Sequence, residues 1–175
     1  MRKNGESDMA KISRKEAREN LFALLFETEF NVDGNPNEIY RLSCENREIP
    51  QDKYIKDTYF GIISRLELLD AVISKYSKGW KSDRLSRVSR NVIRIAVYEI
   101  LFVDDIPANV SISQAVELTV KYGEDKAKQF VNGVLSGLFK DVGTIGIEAI
   151  IAEANNTLAL ASQEDGAEQE KSENE

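Results

Sequence analysis

The chain contains no histidine and one cysteine in 175 residues. Without imidazole, the commonest general base, nucleophile activator and zinc ligand is missing. One thiol, Cys44, can form neither an internal disulfide nor a thiolate metal cluster, and it reads as an ordinary half-buried side chain. There is no run of eighteen apolar residues, and the charged opening MRKNGESDMAKISRKEA is not followed by an apolar segment. Neither a membrane span nor a secretory leader is therefore expected, and the cytoplasm is the expected compartment. No segment reads as a strand, and no Gly-rich βαβ unit is available to hold a methyl-donor cofactor. These absences argue against an enzyme, a metal site and any cofactor.

What is present is enough to fold. A hydrophobic content of 42% can bury one core, so a single domain or two small subdomains sharing a core are expected. The formal net charge of −7 is unevenly spread. Residues 163–175, QEDGAEQEKSENE, carry six acids and one lysine, leaving only −2 for the rest. That acidic end has almost nothing to bury and is expected to be disordered. Two local segments run the other way. KISRKEAR sets Lys11, Arg14, Lys15 and Arg18 against Glu16, and KSDRLSRVSRNVIR, Lys81 to Arg94, has five basic residues against one acid. Such runs serve either as solvated helix faces or as a footprint for a polyanion.

Hydrophobic periodicity is helical nearly throughout. From Ala17, the positions Leu21, Leu24, Leu25 and Thr28 predict a first helix ended by NVDGNPNE, and a short second helix covers Glu38 to Glu45. After Pro50, Ile55, Tyr59, Ile62, Leu66, Leu69, Ile73 and Tyr76 alternate steps of four and three, predicting one long helix that closes near Gly79. A helix from about Ser86 to Val103 is apolar on more than one side and belongs inside the bundle. Ser111 and Gln114 fit a capping box that would open the next helix, which Gly123 ends. Ala127, Phe130, Val131, Val134 and Leu138 mark another, broken by Gly143 and Gly146 before a weaker apolar stretch from Ile147 to Leu160. The expectation is an all-α bundle.

Within that sixth helix, QFVNGVLSGL places Asn-Gly where no turn belongs. Gly133 and Gly137 are four apart and share a face, where missing side chains would admit a neighbouring backbone. Asn132 beside them is expected to bond a neighbouring helix end or loop, the other reading being contact with an outside ligand. Arg94, set among apolar residues, needs an internal partner, and Glu99 or Glu117 is the expected one.

RNVIRIAVYEI (Arg90 to Ile100), Pro107, SISQAVELTVKYG (Ser111 to Gly123) and FVNGVL (Phe130 to Leu135) follow one another in an order that resembles the NusB family of transcription antitermination factors. RKEARENLFALLFE from Arg14 and Trp80 fit as well, and the resemblance covers roughly residues 11–140. It implies a NusB-like helical bundle of two packed three-helix subdomains without catalytic activity. On that basis, residues 1–12 are a flexible extension, 13–142 the helical domain, 143–161 an additional helix and 162–175 a disordered acidic tail. The resemblance further implies binding to the boxA element of nascent ribosomal RNA together with NusE, a ribosomal small-subunit protein, and read-through by RNA polymerase.

Carried over position by position, the resemblance assigns RNA contact to Arg14, Lys15, Arg18 and Phe26 in the first helix, and to Tyr122, Lys126 and Lys128 around the start of the sixth. The physics is compatible, since single-stranded RNA is held by cations along its phosphates and by planar side chains under its bases. Arg14, Arg18, Phe22 and Phe26 step by four, a basic end passing into an aromatic end. Each also has a plainer reading, the aromatics as core and the lysines as solvated charges. The NusE surface is implied around Asp83 and Ser89, while Asn132, Gly133, Gly137, Arg94 and Glu99 are read as structural. Three departures stand out. Glu16 interrupts the basic segment, Ser113-Gln114 replaces the family's usual Asn-Glu, and Thr144 to Glu175 lies beyond the family's usual end. The rival function is a helical protein-protein adaptor without direct RNA contact.

Overall fold

A computed structural model describes residues 12–31, 33–46, 49, 51–79 and 85–172, with the side chains of 165–172 excluded. Eight α-helices and a 3-10 turn make up the regular structure among them. These are α1 Arg14–Phe30, α2 Pro36–Asn46, α3 Lys53–Ile63, α4 Leu66–Tyr76, α5 Arg87–Phe102, α6 Ala108–Lys121, α7 Lys128–Ile145 and α8 Ile147–Ser172, with the 3-10 turn Asp125–Ala127 before α7. The chain is an all-α helical bundle, as the periodicity requires, and it divides into two units at Phe60 and Gly61, inside α3.

The first unit packs α1 against α2. Leu21, Leu25, Ile39, Ile55 and Tyr59 are buried in it. Tyr59 is the polar link of this core, its hydroxyl lying 2.8 Å from the Thr28 hydroxyl of α1 and donating to the Pro36 carbonyl of α2 at 3.3 Å. Ser43 of α2 is buried and donates to Glu27 of α1 at 2.7 Å.

In the second unit α5 packs on α4, α6 and α7. Its buried residues include the apolar Val92, Ile93, Ile95, Ala96, Val97, Ile100 and Leu101 and the polar Ser89, Asn91, Arg94 and Glu99, which confirms it as the internal helix. Ser86 caps it, accepting from the Ser89 amide. The partner of Arg94 differs from expectation. Its Nε and terminal nitrogen donate to the two oxygens of Asp70 on α4, at 2.8 and 2.7 Å, and a second terminal nitrogen donates to Asn91 at 3.3 Å. Glu99, five residues on, is turned about 140° around the helix from Arg94 and faces α6 instead. There it accepts from Ser111 at 2.5 Å.

That bond also overturns the capping box. Pro107, not a serine, stands at the N-cap of α6, so Ser111 lies within the first turn with its hydroxyl committed to Glu99. The predicted single helix over residues 55–76 is likewise two. Between α3 and α4, the Gly61 carbonyl accepts from the Ser64 hydroxyl at 3.1 Å and from Arg65 at 3.3 Å, while the Arg65 amide turns to the Ile62 carbonyl. The side chains at residues 64 and 65 thus take the acceptor that the next helical amide would have used, and the hydrophobic period runs through a break that it cannot detect.

Of the three glycines in α7, Gly137 has a close neighbour. A Cβ on Gly137 would meet the Tyr76 ring at 3.2 Å, so this glycine does admit a close neighbour, a ring rather than a backbone. Asn132 and Gly133 lie on the exposed face of the helix. Gly143 stays helical, and the break falls at Gly146, whose φ of 84° is a conformation that favours glycine.

Beyond it, α8 packs on α4 and α7 with Ile150 and Ala154 buried, and Lys75 of α4 donates to Glu153 at 2.7 Å. The hydrogen bond from Lys75 to Glu153 raises the lysine pKa above its ordinary value. The helix runs to Ser172, past the boundary at 161 and into the segment expected to be disordered. Ala, Gln and Glu there have good intrinsic helix propensity, which needs no burial to act.

Ser111→Ala removes a donor from a buried carboxylate and should cost about 1–3 kcal/mol in urea unfolding. Ile150→Ala should cost about 2–5 kcal/mol, whereas deletion of residues 163–175 should leave the thermal midpoint nearly unchanged, because Ala154 is the last buried residue of α8 among those whose side chains are described.

Candidate nucleic-acid interface

The first turn of α1 is built by a device that the sequence carried in plain view. Ser13 caps the helix, its hydroxyl accepting from the Glu16 amide at 3.2 Å, and the Glu16 carboxylate accepts from the Ser13 amide and hydroxyl, both at 2.8 Å. Ser-x-x-Glu is the capping-box signature. Glu16, apparently a weakness in a basic segment, thus fixes the helix start three residues ahead of Ala17. Hydrogen bonds from the Ser13 backbone and hydroxyl hold its carboxyl below the ordinary carboxylate pKa.

From this turn Arg14 and Lys15 are exposed. The Arg14 guanidinium lies over the ring of Tyr54, at the start of α3, 4.1 Å from its centroid. Arg18 differs from its expected role. It is only 4% exposed, so its guanidinium is enclosed in the protein and not presented to an outside ligand. The reason is geometric, since a step of four advances about 40° around a helix and carries the stripe across the inward arc before it emerges again. Phe22 is buried, Phe26 half-buried and Phe30 57% exposed. Their rings form a continuous ladder, with centroids 5.7 Å apart between Phe22 and Phe26 and 5.1 Å between Phe26 and Phe30.

In the second unit the remaining assigned residues gather at the α6 to α7 connection. Tyr122 is the C-cap of α6 and is 38% exposed. Gly123 follows with φ 85°, and Lys126 lies exposed in the 3-10 turn. Lys128 is paired with Asp125 at 3.1 Å, so part of its charge is already answered. A cleft of 800 Å³ is lined here by Ser86, Gly123, Glu124, Asp125, Lys126, Ala127 and Phe130. Glu124 accepts from Ser86 at 2.6 Å and from Ser89 at 2.9 Å, tying this turn to the start of α5. Ser89 is therefore fully buried and cannot itself meet a protein partner, contrary to its expected place on the NusE surface. Asp83, the other residue of that surface, and Trp80 lie outside the described residues.

A second cleft, of 680 Å³ in the first unit, is lined by Tyr40, Cys44 and Phe60 together with the ion pairs Arg41–Glu45 and Lys53–Asp57. Burial foremost, and then Cys44, pushes the Tyr40 hydroxyl up to about 12, so it stays protonated at neutral pH. Among the described residues no cluster of three His, Cys, Asp or Glu could hold a metal, and no helix is long and apolar enough to cross a membrane.

Exposed cations on a capped helix start, a ladder of rings and a second turn that sets an exposed lysine near an aromatic cap are features suited to a nucleic acid. Residues 15–140 match the model of the NusB family, and the chain belongs to that family. The transcription antitermination protein NusB of Agathobacter rectalis is 44% identical over 128 residues, spanning 71% of this chain and 98% of that protein. NusB of Bacillus licheniformis is 37% identical over 131 residues, 75% of this chain and 99% of that one. Among solved structures, a chain from the crystal structure of antitermination factors NusB and NusE in complex with dsRNA superposes with a TM-score of 0.64 at 32% identity. It covers 73% of this chain and 96% of that one. T. maritima NusB gives a TM-score of 0.65 at 36% identity, over 75% and 93% of the two chains. The protein is thus a non-catalytic RNA-binding antitermination factor of the NusB type. Helix α8 begins beyond the matched residues.

The helix start can be tested by its acid dependence. A depressed folded-state pKa contributes stability above the unfolded value that is lost as pH falls through the folded one. Ser13→Ala should cost ~1 kcal/mol at neutral pH. Glu16→Gln should flatten the decline in thermal midpoint below the ordinary carboxylate range, as followed by circular dichroism.

Proposed function

We propose that this protein binds boxA RNA of nascent ribosomal RNA transcripts together with NusE and promotes read-through by RNA polymerase. The observation that carries the reading is the first turn of α1, where Arg14 and Lys15 stand exposed on a helix start fixed by its own capping box. Two cations and the positive end of a helix dipole together favour phosphate. One face further on, Phe26 and Phe30 offer rings on which unstacked bases can lie. Tyr122 and Lys126 repeat the combination of ring and cation in the second unit. Arg18 contributes through the fold and not through phosphate contact, and Lys128 contributes less than Lys126 because Asp125 already pairs with it.

Titration of a boxA RNA oligonucleotide at several salt concentrations, with and without NusE, tests this. RNA affinity should fall steeply with salt and rise when NusE is added. Arg14→Ala with Lys15→Ala should lower the slope of log K against log salt by about 2, with the circular dichroism spectrum unchanged. Phe26→Ala should weaken binding by ~1–3 kcal/mol if a base stacks on it. Association with NusE but none with RNA at low salt would instead make the protein a helical adaptor.

A further inference from the structure

A surface arginine ordinarily loses much rotamer freedom when it binds a phosphate. Arg14 does not begin from that freedom. Its guanidinium already lies over the Tyr54 ring, 4.1 Å from the centroid, and it forms no ion pair with a described residue. Both ends of this stack are fixed. The backbone of Arg14 follows directly on the Ser13/Glu16 capping box. Tyr54 is 8% exposed, and the adjacent Ile55 amide donates to Asp52 at 3.1 Å, anchoring the start of α3. A guanidinium whose central carbon lies over a ring keeps N–H groups available on the side away from it, and these form the fork that matches two phosphate oxygens.

We infer that Tyr54 is a positioning residue for RNA: it holds the Arg14 guanidinium flat, with its N–H edge presented to the backbone of the bound strand. The inference rests on the RNA-binding reading given above. Tyr54 itself makes no phosphate contact, and its hydroxyl is not required, because the stack uses the ring face. Lys15, one residue on, has no planar group to be held in this way, so the two neighbouring cations differ in kind: Arg14 is a preset fork and Lys15 a point charge.

The test uses the full chain and a single-stranded boxA RNA oligonucleotide, with fluorescence anisotropy read across a salt series and folding followed by circular dichroism. Tyr54→Leu should weaken RNA binding about threefold to tenfold, and Tyr54→Phe should bind as the parent does. In the Arg14→Ala background, Tyr54→Leu should add no further loss, since nothing remains to be positioned. Arg14→Lys keeps the charge without the stack and should lose affinity like Tyr54→Leu, which holds the inference open to refutation even if Tyr54→Leu does not fold. Parent-like affinity in Arg14→Lys, or full additivity of Arg14→Ala and Tyr54→Leu, overturns the inference while leaving RNA binding standing. No loss in Arg14→Ala, with RNA binding itself intact, removes Arg14 from the RNA surface and the inference with it. An absence of RNA binding by the parent protein overturns the functional reading and the inference together.

Discussion

A helix that is buried on several sides must find partners for every polar group that it carries inward, and this constraint on α5 organises the second unit. Arg94 is met by both oxygens of Asp70 on α4 and by Asn91 one turn away, while Glu99 is met by Ser111 on α6. Apolar contacts alone would let α4 and α6 slide or rotate against α5 at modest cost. Two charged groups of opposite sign, each with a partner on a different neighbouring helix, allow far fewer arrangements, because an orphaned buried charge is among the most expensive defects a fold can contain. Ser86 and Ser89 extend the same logic to the head of α5, where Glu124 draws in the α6 to α7 turn. The turn bearing Lys126 is therefore attached to the core through a carboxylate.

The first unit solves a different problem. The surface proposed to meet RNA is a helix start, which is polar, exposed and poorly supported by burial. The reciprocal bonds between Ser13 and Glu16 supply the missing support, and Tyr54 gives Arg14 a platform. Along the same helix the aromatic ladder runs from a buried ring to an exposed one. One set of rings thereby serves packing at Phe22 and presents an open face at Phe30. The buried and the exposed end of this one aromatic stripe are linked by ordinary helical drift. A stripe with a period of four cannot stay on one side of a helix with 3.6 residues per turn.

The C-terminal helix adds to a bundle that is otherwise spanned by the family match. It starts after a left-handed glycine, buries Ile150 and Ala154, and is pinned to α4 by Lys75 and Glu153. Its outer half has no buried residue among those whose side chains are described, and its helicity there rests on composition.

Sequence by itself determined the helical class, the inward position of α5, the glycine that ends α6 and the family, because each depends on local spacing or on an ordered set of short motifs. It also contained the Ser13-x-x-Glu16 box, although the same signature at Ser111 and Gln114 attracted the assignment instead. Tertiary structure decided the rest: that Arg94 pairs with Asp70, that Arg18 and Ser89 are enclosed, that the long period over residues 55–76 is cut at Ser64 and Arg65, and that Gly137 admits the ring of Tyr76. The physical reason is common to all four. Periodicity reports which residues share a face of one helix, but whether that face meets water, a ring or a carboxylate is fixed by residues far away in the chain, and only the folded packing brings them together.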